Sequence, residues 1–148
     1  MKSKTSKSQA TSEQPLVQTK AATGAGNSEY IKSGPITPGT VEKTWGKEVI
    51  YQNHDKYCTK QLIINPGFST SMHFHLEKHE TMIVVDGTLV IEYINNKKIY
   101  EIKVEKYNSF VIAPGLPHKL KCLKEEAEPV RIIECSTKHF DNDSIRIG

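Results

Sequence analysis

Four residues of the kinds that bind divalent metal ions stand in two short segments of the chain. His73 and His75 are separated by one residue, Glu80 follows closely, and His118 comes 38 residues after Glu80. In a β-strand, side chains at positions i and i+2 point to the same face with Cα atoms about 6.6 Å apart, so both imidazoles can reach one ion. Three neutral imidazoles and one carboxylate suit a borderline divalent ion such as Zn, Mn, Fe or Ni. We therefore expect one such ion on His73, His75, Glu80 and His118.

The spacing around these residues is more informative than the histidine pair, since a single His-x-His is weak evidence of metal binding. The first segment reads G-x5-H-x-H-x4-E-x6-G from Gly67 to Gly87, and the second has Gly115 three residues before His118. The two segments resemble the two motifs of the cupin superfamily, and the resemblance covers residues 41–148. It implies a jelly-roll β-barrel with the four metal ligands inside.

Further segments resemble those of sugar-isomerase-type cupins. Residues 41–46 (VEKTWG) and 60–67 (KQLIINPG) look like the lead-in and the following strand of phosphomannose-isomerase-type cupins. Residues 133–137 (IECST) and 141–146 (DNDSIR) look like the closing strand and the acidic-then-arginine end of sugar-isomerase-like cupins. The H-x-H-x-x-K-x-E pattern is similar to that of D-lyxose isomerase, which implies that Lys78 lies at the active site. The resemblance thus implies a sugar as the substrate.

Lys78 and Glu134 are the candidate catalytic residues. Lys78 shares the strand parity of Glu80, so its amine can point inward beside the ion, whereas His79 has the opposite parity and is expected at the surface. Nearby positive charge and burial are expected to lower the pKa of Lys78, which would allow proton transfer near neutral pH. Glu134, on the closing strand, can serve as a partnering base. Strand alternation leaves open whether Glu134 or its neighbours face the core.

The expected chemistry follows from the coordination positions that the protein ligands leave to a substrate. Two adjacent positions can chelate an O–C–C–O unit, such as a sugar hydroxyl beside a carbonyl, and the ion then acts as a Lewis acid that stabilises an enediolate. We therefore expect aldose-ketose isomerisation or epimerisation of a sugar or sugar phosphate. Two alternatives stay open. One is a small-molecule dioxygenase in which a redox metal holds O₂ and an enolised substrate, and the other is a non-catalytic cupin that binds a metabolite.

Short strands separated by turn residues account for most of the chain after residue 57. No helical period competes with them over any long window. The predicted strands are 57–64, 68–75, 80–85, 88–94, 98–104, 110–113, 118–123 and 130–136. Between two of these strands, residues 95–97 (NNK) predict a short hairpin turn. Strands broken this often by Gly, Pro or Asn predict an all-β fold, a closed barrel or a sandwich.

The first forty residues differ from the rest in composition. Residues 1–33 are rich in Ser, Thr, Lys, Gln, Ala and Gly, so we expect them to be disordered. Residues 1–40 hold five lysines and two glutamates, whereas residues 41–148 hold 15 basic and 15 acidic side chains. We predict a flexible basic tail and linker over residues 1–40 and one cupin domain over residues 41–148. A neutral domain lacks the positive charge expected of a nucleic-acid-binding protein.

Cysteine usage and hydropathy indicate the compartment. Cys58, Cys122 and Cys135 are too few for a disulfide framework, and Cys135, in an apolar run, is expected to be a core thiol. No stretch approaches the roughly 20 apolar residues that span a bilayer, and the N-terminus has no apolar signal region. We therefore expect a cytoplasmic protein with no membrane partner. A homodimer through an edge strand is a further expectation, because exposed sheet edges need covering.

Overall fold

The computed structural model describes residues 33–148. Residues 1–32, which hold most of the expected flexible tail, lie outside the described residues. The described part of the chain contains eleven strands and one 3₁₀ turn, Asp141–Asp143. The strands are β1 Gly39–Lys43, β2 Gly46–Asn53, β3 Cys58–Ile64, β4 His73–His75, β5 Glu80–Asp86, β6 Leu89–Asn95, β7 Lys98–Val104, β8 Ser109–Ile112, β9 His118–Lys121, β10 Val130–Ser136 and β11 Ser144–Arg146.

The strands form two antiparallel sheets. The first has six strands in the order β1-β2-β3-β10-β5-β8, and the second has five in the order β11-β4-β9-β6-β7. The all-β prediction is confirmed. Among residues 33–148, no helix is long and apolar enough to cross a membrane.

Strand alternation directs one set of side chains into the space between the sheets. Along β5, Glu80, Met82 and Val84 are buried, and the residues between them are partly exposed. Fully burying an aliphatic side chain stabilises the fold by about 1.5–3 kcal/mol. The apolar core consists of Leu62, Ile64, Met82, Val84, Leu89, Ile91, Val104, Ile112, Leu120, Cys122, Val130 and Ile132.

The inward-facing side of β3 and β10 changes from apolar to polar along each strand. Leu62 pairs with Ile132 in the apolar core, and the next inward pair along the same two strands is Lys60 with Glu134. Both members of this second pair are buried, Lys60 to 4% exposure and Glu134 to 3%. One end of the barrel interior is therefore packed with apolar side chains, and the other end is lined by buried charges.

Two turns depend on unusual backbone angles. Asn96 and Lys97 have φ values of 49° and 62° and join β6 to β7, which makes the predicted hairpin a type I′ turn. Gly46 begins β2 with φ at 148°, and a Cβ there would lie 1.9 Å from the carbonyl oxygen of Ile63. Only glycine fits at this position, so β2 packs directly against the backbone of β3.

The structure corrects several sequence-based predictions. Strands β1, β2 and β11 were not predicted. The strand expected over residues 68–75 is formed only at His73–His75, with a single bridge from Ser69 to Lys121. Cys135 was expected in the core and is exposed, because the alternation of β10 turns Glu134 inward and Cys135 outward.

Candidate metal centre

Three histidines converge at the polar end of the barrel interior. His73 and His75 lie on β4, and His118 on β9 is the direct cross-strand partner of His73. One nitrogen from each ring lies within 4.8 Å of the others, a spacing from which all three can hold one ion. The expected i and i+2 geometry of His73 and His75 is what brings these two rings together.

Backbone carbonyls orient two of the rings. The Nδ1 of His73 lies 2.8 Å from the carbonyl oxygen of Ser71, and the Nδ1 of His118 lies 2.9 Å from that of Leu116. A carbonyl only accepts a hydrogen bond, so each Nδ1 is the protonated nitrogen and donates. Each Nε2 then carries a lone pair, which is the arrangement found in metal-binding histidines.

The third ring, His75, lies between two carboxylates. Its Nε2 is 3.7 Å from the Oε1 of Glu80, and its Nδ1 is 3.7 Å from the Oδ2 of Asp143. Asp143 also accepts hydrogen bonds of 3.0–3.1 Å from the backbone N–H groups of residues 76–78. Asp143 therefore fixes the loop between β4 and β5. Sequence reasoning did not single it out.

Glu80 provides the test of whether a cation fits this site. Its Oε2 is buried, has no hydrogen-bond partner, and lies 3.5 Å from the Nε2 of His118. When Glu80 is ionised, both atoms carry lone pairs and repel each other, and the Glu80 oxygen is a buried acceptor without a donor, which is costly. A cation between them would satisfy both. Three imidazole nitrogens and one carboxylate oxygen are a suitable donor set for a divalent transition ion.

Burial keeps the histidines neutral. Burial, with a contribution from the charge of Lys78, lowers the pKa of His75 to about 3. Burial and the neighbouring His73 lower the pKa of His118 to about 4, and burial also lowers the pKa of His73. Metal binding requires unprotonated imidazole, so these rings are in their binding form at neutral pH.

Lys78 connects Glu80 to Glu134. Its Nζ is 2.9 Å from the Oε1 of Glu80 and 2.5 Å from the Oε1 of Glu134, and Ser136 donates a further hydrogen bond of 3.3 Å to that Glu134 oxygen. Lys78 and Glu80 are each 2% exposed. The three buried side chains thus form a line of alternating charge that ends at the candidate ion site.

In the protein without a bound ion, the pKa of Lys78 shifts in the direction opposite to the expected one. Burial disfavours its charge, but Glu134 and Glu80 outweigh burial and raise the pKa of Lys78. Burial also opposes the charge of Glu134, but Lys78 and Lys60 outweigh it and lower that pKa to about 2. For Glu80, burial and the charge of Glu134 prevail and raise the pKa to about 7. At neutral pH, Lys78 therefore keeps its proton and Glu134 is ionised.

These residues line one cavity of about 590 Å³, within the size range of small-molecule sites. All six site residues predicted from the sequence lie around it, namely His73, His75, Lys78, Glu80, His118 and Glu134. His79 is exposed and outside it, as its parity predicted. Lys60, Glu48 and His139 also line the cavity and were not recognised as site residues. Their strands or loops offered no motif that would have marked them.

The cupin-domain family model matches residues 61–135, just over half of the chain. The chain therefore belongs to the cupin family. It is similar to a mannose-1-phosphate guanylyltransferase of Salmonella muenchen, with 29% identity over 109 residues that cover 72% of this chain and 22% of that protein.

Solved structures share the fold. The capsular polysaccharide assembling protein CapF from Staphylococcus aureus superposes with a TM-score of 0.67 at 22% identity, over 75% of this chain and 34% of CapF. Oxalate decarboxylase from Bacillus subtilis superposes with a TM-score of 0.64 at 13% identity, over 74% of this chain and 30% of that chain. The chain thus spans about a fifth of the guanylyltransferase and about a third of each of these two structures.

Proposed function

We propose that this cupin is a metal-dependent enzyme that isomerises or epimerises a small sugar or sugar phosphate. The observation that carries the proposal is the buried Lys78, which contacts both Glu80 at the ion site and Glu134 behind it. A charged triad of this kind, beside three histidines in a cavity, places a proton donor and a proton acceptor next to a site for substrate oxygens.

His73, His75, His118 and Glu80 would hold the ion, with Zn, Mn, Fe and Ni all compatible with these ligands. When bound, the ion would supply Lewis-acid stabilisation of negative charge on the substrate oxygens. One carboxylate against a divalent charge leaves a net charge of about +1 on the ion and its ligands, which favours such an anion.

The revised ionisation states give Lys78 and Glu134 distinct roles. Lys78 holds its proton and donates a hydrogen bond to a substrate oxygen as negative charge develops there. Glu134, ionised at neutral pH, accepts the proton from the carbon beside the carbonyl and returns it to the neighbouring carbon, while the hydroxyl proton on the first carbon passes to the former carbonyl oxygen. The ion pair sets the protonation states of both side chains before the substrate arrives, and a substrate oxygen that draws Lys78 away from Glu134 would raise the basicity of Glu134.

The relatives support a sugar as the substrate class. One is named as a guanylyltransferase of mannose 1-phosphate, and another as a protein that assembles capsular polysaccharide. Both names refer to carbohydrate chemistry, as the resemblance to sugar-isomerase cupins implies. A homodimer, a cytoplasmic location and the lack of nucleic-acid or membrane partners stay predictions.

Proton exchange in D₂O tests the proposal directly. Protein loaded anaerobically with Mn, Zn or Co is incubated with a panel of aldoses, ketoses and their phosphates, and the signal of the proton next to the carbonyl is followed by NMR. We expect metal-dependent exchange and interconversion of at least one aldose-ketose or epimer pair. Lys78→Met and Glu134→Gln should each slow exchange by roughly 10²–10⁴-fold, whereas the exposed controls Lys103→Met and Glu125→Gln should not.

Two results would contradict the proposal. Turnover that requires both O₂ and Fe(II) would indicate the dioxygenase instead. Saturable binding of metal and sugar without any proton exchange would indicate a non-catalytic binding protein. Each variant is first checked for metal binding, so that loss of the ion is not mistaken for loss of a proton donor or acceptor.

A further inference from the structure

Lys60 is a buried cation whose hydrogen-bonding capacity is largely unused by the protein. It lies on β3, is 4% exposed, and faces the cavity. An ammonium group has three donors. Among the described residues it contacts Glu48, whose Oε2 lies 3.4 Å away, a long distance for a hydrogen bond. Glu48 is shared with Lys43 at 4.0 Å. Buried hydrogen-bond donors are normally paired with acceptors. We therefore expect a bound ligand to supply an acceptor for the remaining N–H groups of Lys60 inside the cavity.

Glu134 does not fill this role. It is the cross-strand partner of Lys60, and its charge is therefore close by. Its Oε1, however, contacts Lys78, and among the described residues no ion pair joins Glu134 to Lys60. Lys60 therefore attracts Glu134 only at longer range, and its ion-pair contact is with the partly buried Glu48.

The formal charges around the cavity show what kind of ligand would balance it. The lining cations are Lys43, Lys60, Lys78 and Arg146, and the lining anions are Glu48, Glu80, Glu134 and Asp141. The wall is therefore neutral by itself and would carry about +2 with a divalent ion bound. A ligand with one or two negative charges would complete the balance.

The position of Lys60 relative to the ion site sets the length of such a ligand. In the first sheet, β10 separates β3 from β5, and Lys60 is level with Glu134 and Met82, two residues along from Glu80. The Cα atoms of Lys60 and Glu80 therefore lie roughly 12 Å apart. The side chains of Lys60 and Glu80 extend into the same cavity and shorten this distance, so a six-carbon sugar with an anionic group on its last carbon is long enough to lie between the ion and Lys60.

We propose that Lys60 binds an anionic group, a carboxylate or a phosphate, at the far end of a sugar whose carbonyl end lies at the metal centre. This inference rests on the metal site of the proposed function and specifies the substrate class as acidic sugars or sugar phosphates. It does not require turnover, because it concerns binding.

Matched sugars that differ only at carbon 6 test the inference. Metal-loaded protein is titrated calorimetrically with glucose, glucuronate and glucose 6-phosphate, and with the corresponding mannose and galactose series. In at least one series we expect an anionic sugar to bind at least tenfold more tightly than the neutral one. Tighter binding of the uronate would indicate that Lys60 binds a carboxylate, and tighter binding of the 6-phosphate would indicate that it binds a phosphate. Lys60→Met should reduce this preference to less than threefold and Lys60→Arg should retain part of it, while metal affinity stays within about twofold in both.

The control is Lys119→Met, because Lys119 lies on β9 outside the cavity and pairs with Glu92; it should leave the preference unchanged. Three results would overturn the inference: equal binding of neutral and anionic sugars, no measurable binding in any series, or an unchanged preference in Lys60→Met. The comparison of sugars on the wild-type protein needs no variant, so it tests the anion preference even if Lys60→Met does not fold. Proton exchange without an anion preference would refute this inference alone, and an anion preference without exchange would refute only the isomerase.

Discussion

The carboxylate of Asp143 lies 3.7 Å from the Nδ1 of His75. The same carboxylate accepts hydrogen bonds from the backbone of residues 76–78. One side chain therefore fixes the loop that leads from β4 to Glu80 and includes Lys78, and it also places a negative charge beside a candidate metal ligand.

Asp143→Ala is expected to weaken metal binding by roughly 10–100-fold, the usual effect of removing a carboxylate beside a metal-binding histidine, because the negative charge near His75 is lost and the loop before Glu80 is no longer fixed. It should also destabilise the metal-free protein by about 2–4 kcal/mol, because three backbone donors lose a charged acceptor. Competition with a chromophoric chelator measures the first effect and urea unfolding the second. Asp86→Asn is the control, since Asp86 is exposed and pairs with Lys106 at the surface. Equal metal affinity in the two variants would contradict this role.

The pair of Lys78 and Glu134 should show a large coupling energy. Removing Lys78 leaves the buried Glu134 without its closest cation, at a cost of about 3–5 kcal/mol, and removing Glu134 leaves Lys78 with Glu80 alone, so the double variant should lose much less than the sum. Urea unfolding of Lys78→Met, Glu134→Gln and the double variant measures the coupling, which we expect to exceed about 2 kcal/mol.

The surface pair of Lys138 and Asp55 provides a control cycle. Its atoms are 2.8 Å apart, but the two side chains are 31% and 42% exposed. Water screens such a pair, so its coupling should stay below about 1 kcal/mol. Similar coupling energies in the two cycles would mean that burial does not strengthen the interaction between Lys78 and Glu134.

The metal-free protein should lose stability as the pH falls below about 6.5. His75 and His118 have pKa values of about 3 and 4 in the fold, so below their ordinary pKa of 6.5 the unfolded chain binds two protons that the folded chain does not. Glu80, with its pKa raised to about 7, binds one proton more in the folded state and offsets one of them. The lowered pKa values of His73 and His139 add to the difference, so the net is at least one proton, and each proton lowers stability by about 1.4 kcal/mol per pH unit.

Urea unfolding of the metal-free protein between pH 6.5 and pH 5 measures this slope. His118→Gln should reduce this slope by the contribution of one proton, about 1.4 kcal/mol per pH unit. The exposed His79→Gln should leave the slope unchanged. Stability that is constant or rises as the pH falls over this interval would mean that the histidines are not held neutral by burial.

Gly46→Ala should destabilise the protein by about 3 kcal/mol or more, because its Cβ would overlap the carbonyl oxygen of Ile63. Gly115→Ala is the matched control. Gly115 also has a positive φ, 81°, but nothing lies within 4 Å of a Cβ there. Its substitution should cost only about 1–2 kcal/mol, the price of the backbone conformation alone. Thermal unfolding measures the loss of stability in each variant. Equal losses would mean that the overlap with the backbone of β3 does not destabilise Gly46→Ala.

The convergence of the candidate metal ligands was predictable because they lie on strands whose alternation is regular. Glu80 shares its parity with Met82 and Val84, which are buried with it. Strand β2 was missed because it has a bulge: Ile50 pairs with Lys60 and Gln52 with Thr59, so Tyr51 interrupts the alternation.

The phase of β10 could not be predicted, because its inner face changes from apolar to polar along the strand and its outer face also carries apolar residues. Glu134 and Ser136 are buried, and Cys135 between them is exposed. The unexpected direction of the pKa shift of Lys78 has the same origin, since Glu134 is the group that raises it most. Asp143 was missed because its partners are backbone groups more than sixty residues away, which leave no side-chain pattern.

Titration of the metal-free protein with Co²⁺, followed by its visible absorption, shows whether the three converging histidines hold one ion. We expect one Co²⁺ per chain, with affinity reduced by roughly 100-fold or more in His73→Ala, His75→Ala and His118→Ala and unchanged in His79→Ala. Absence of saturable binding at one equivalent, or an equal loss of affinity in His79→Ala and His75→Ala, would contradict it.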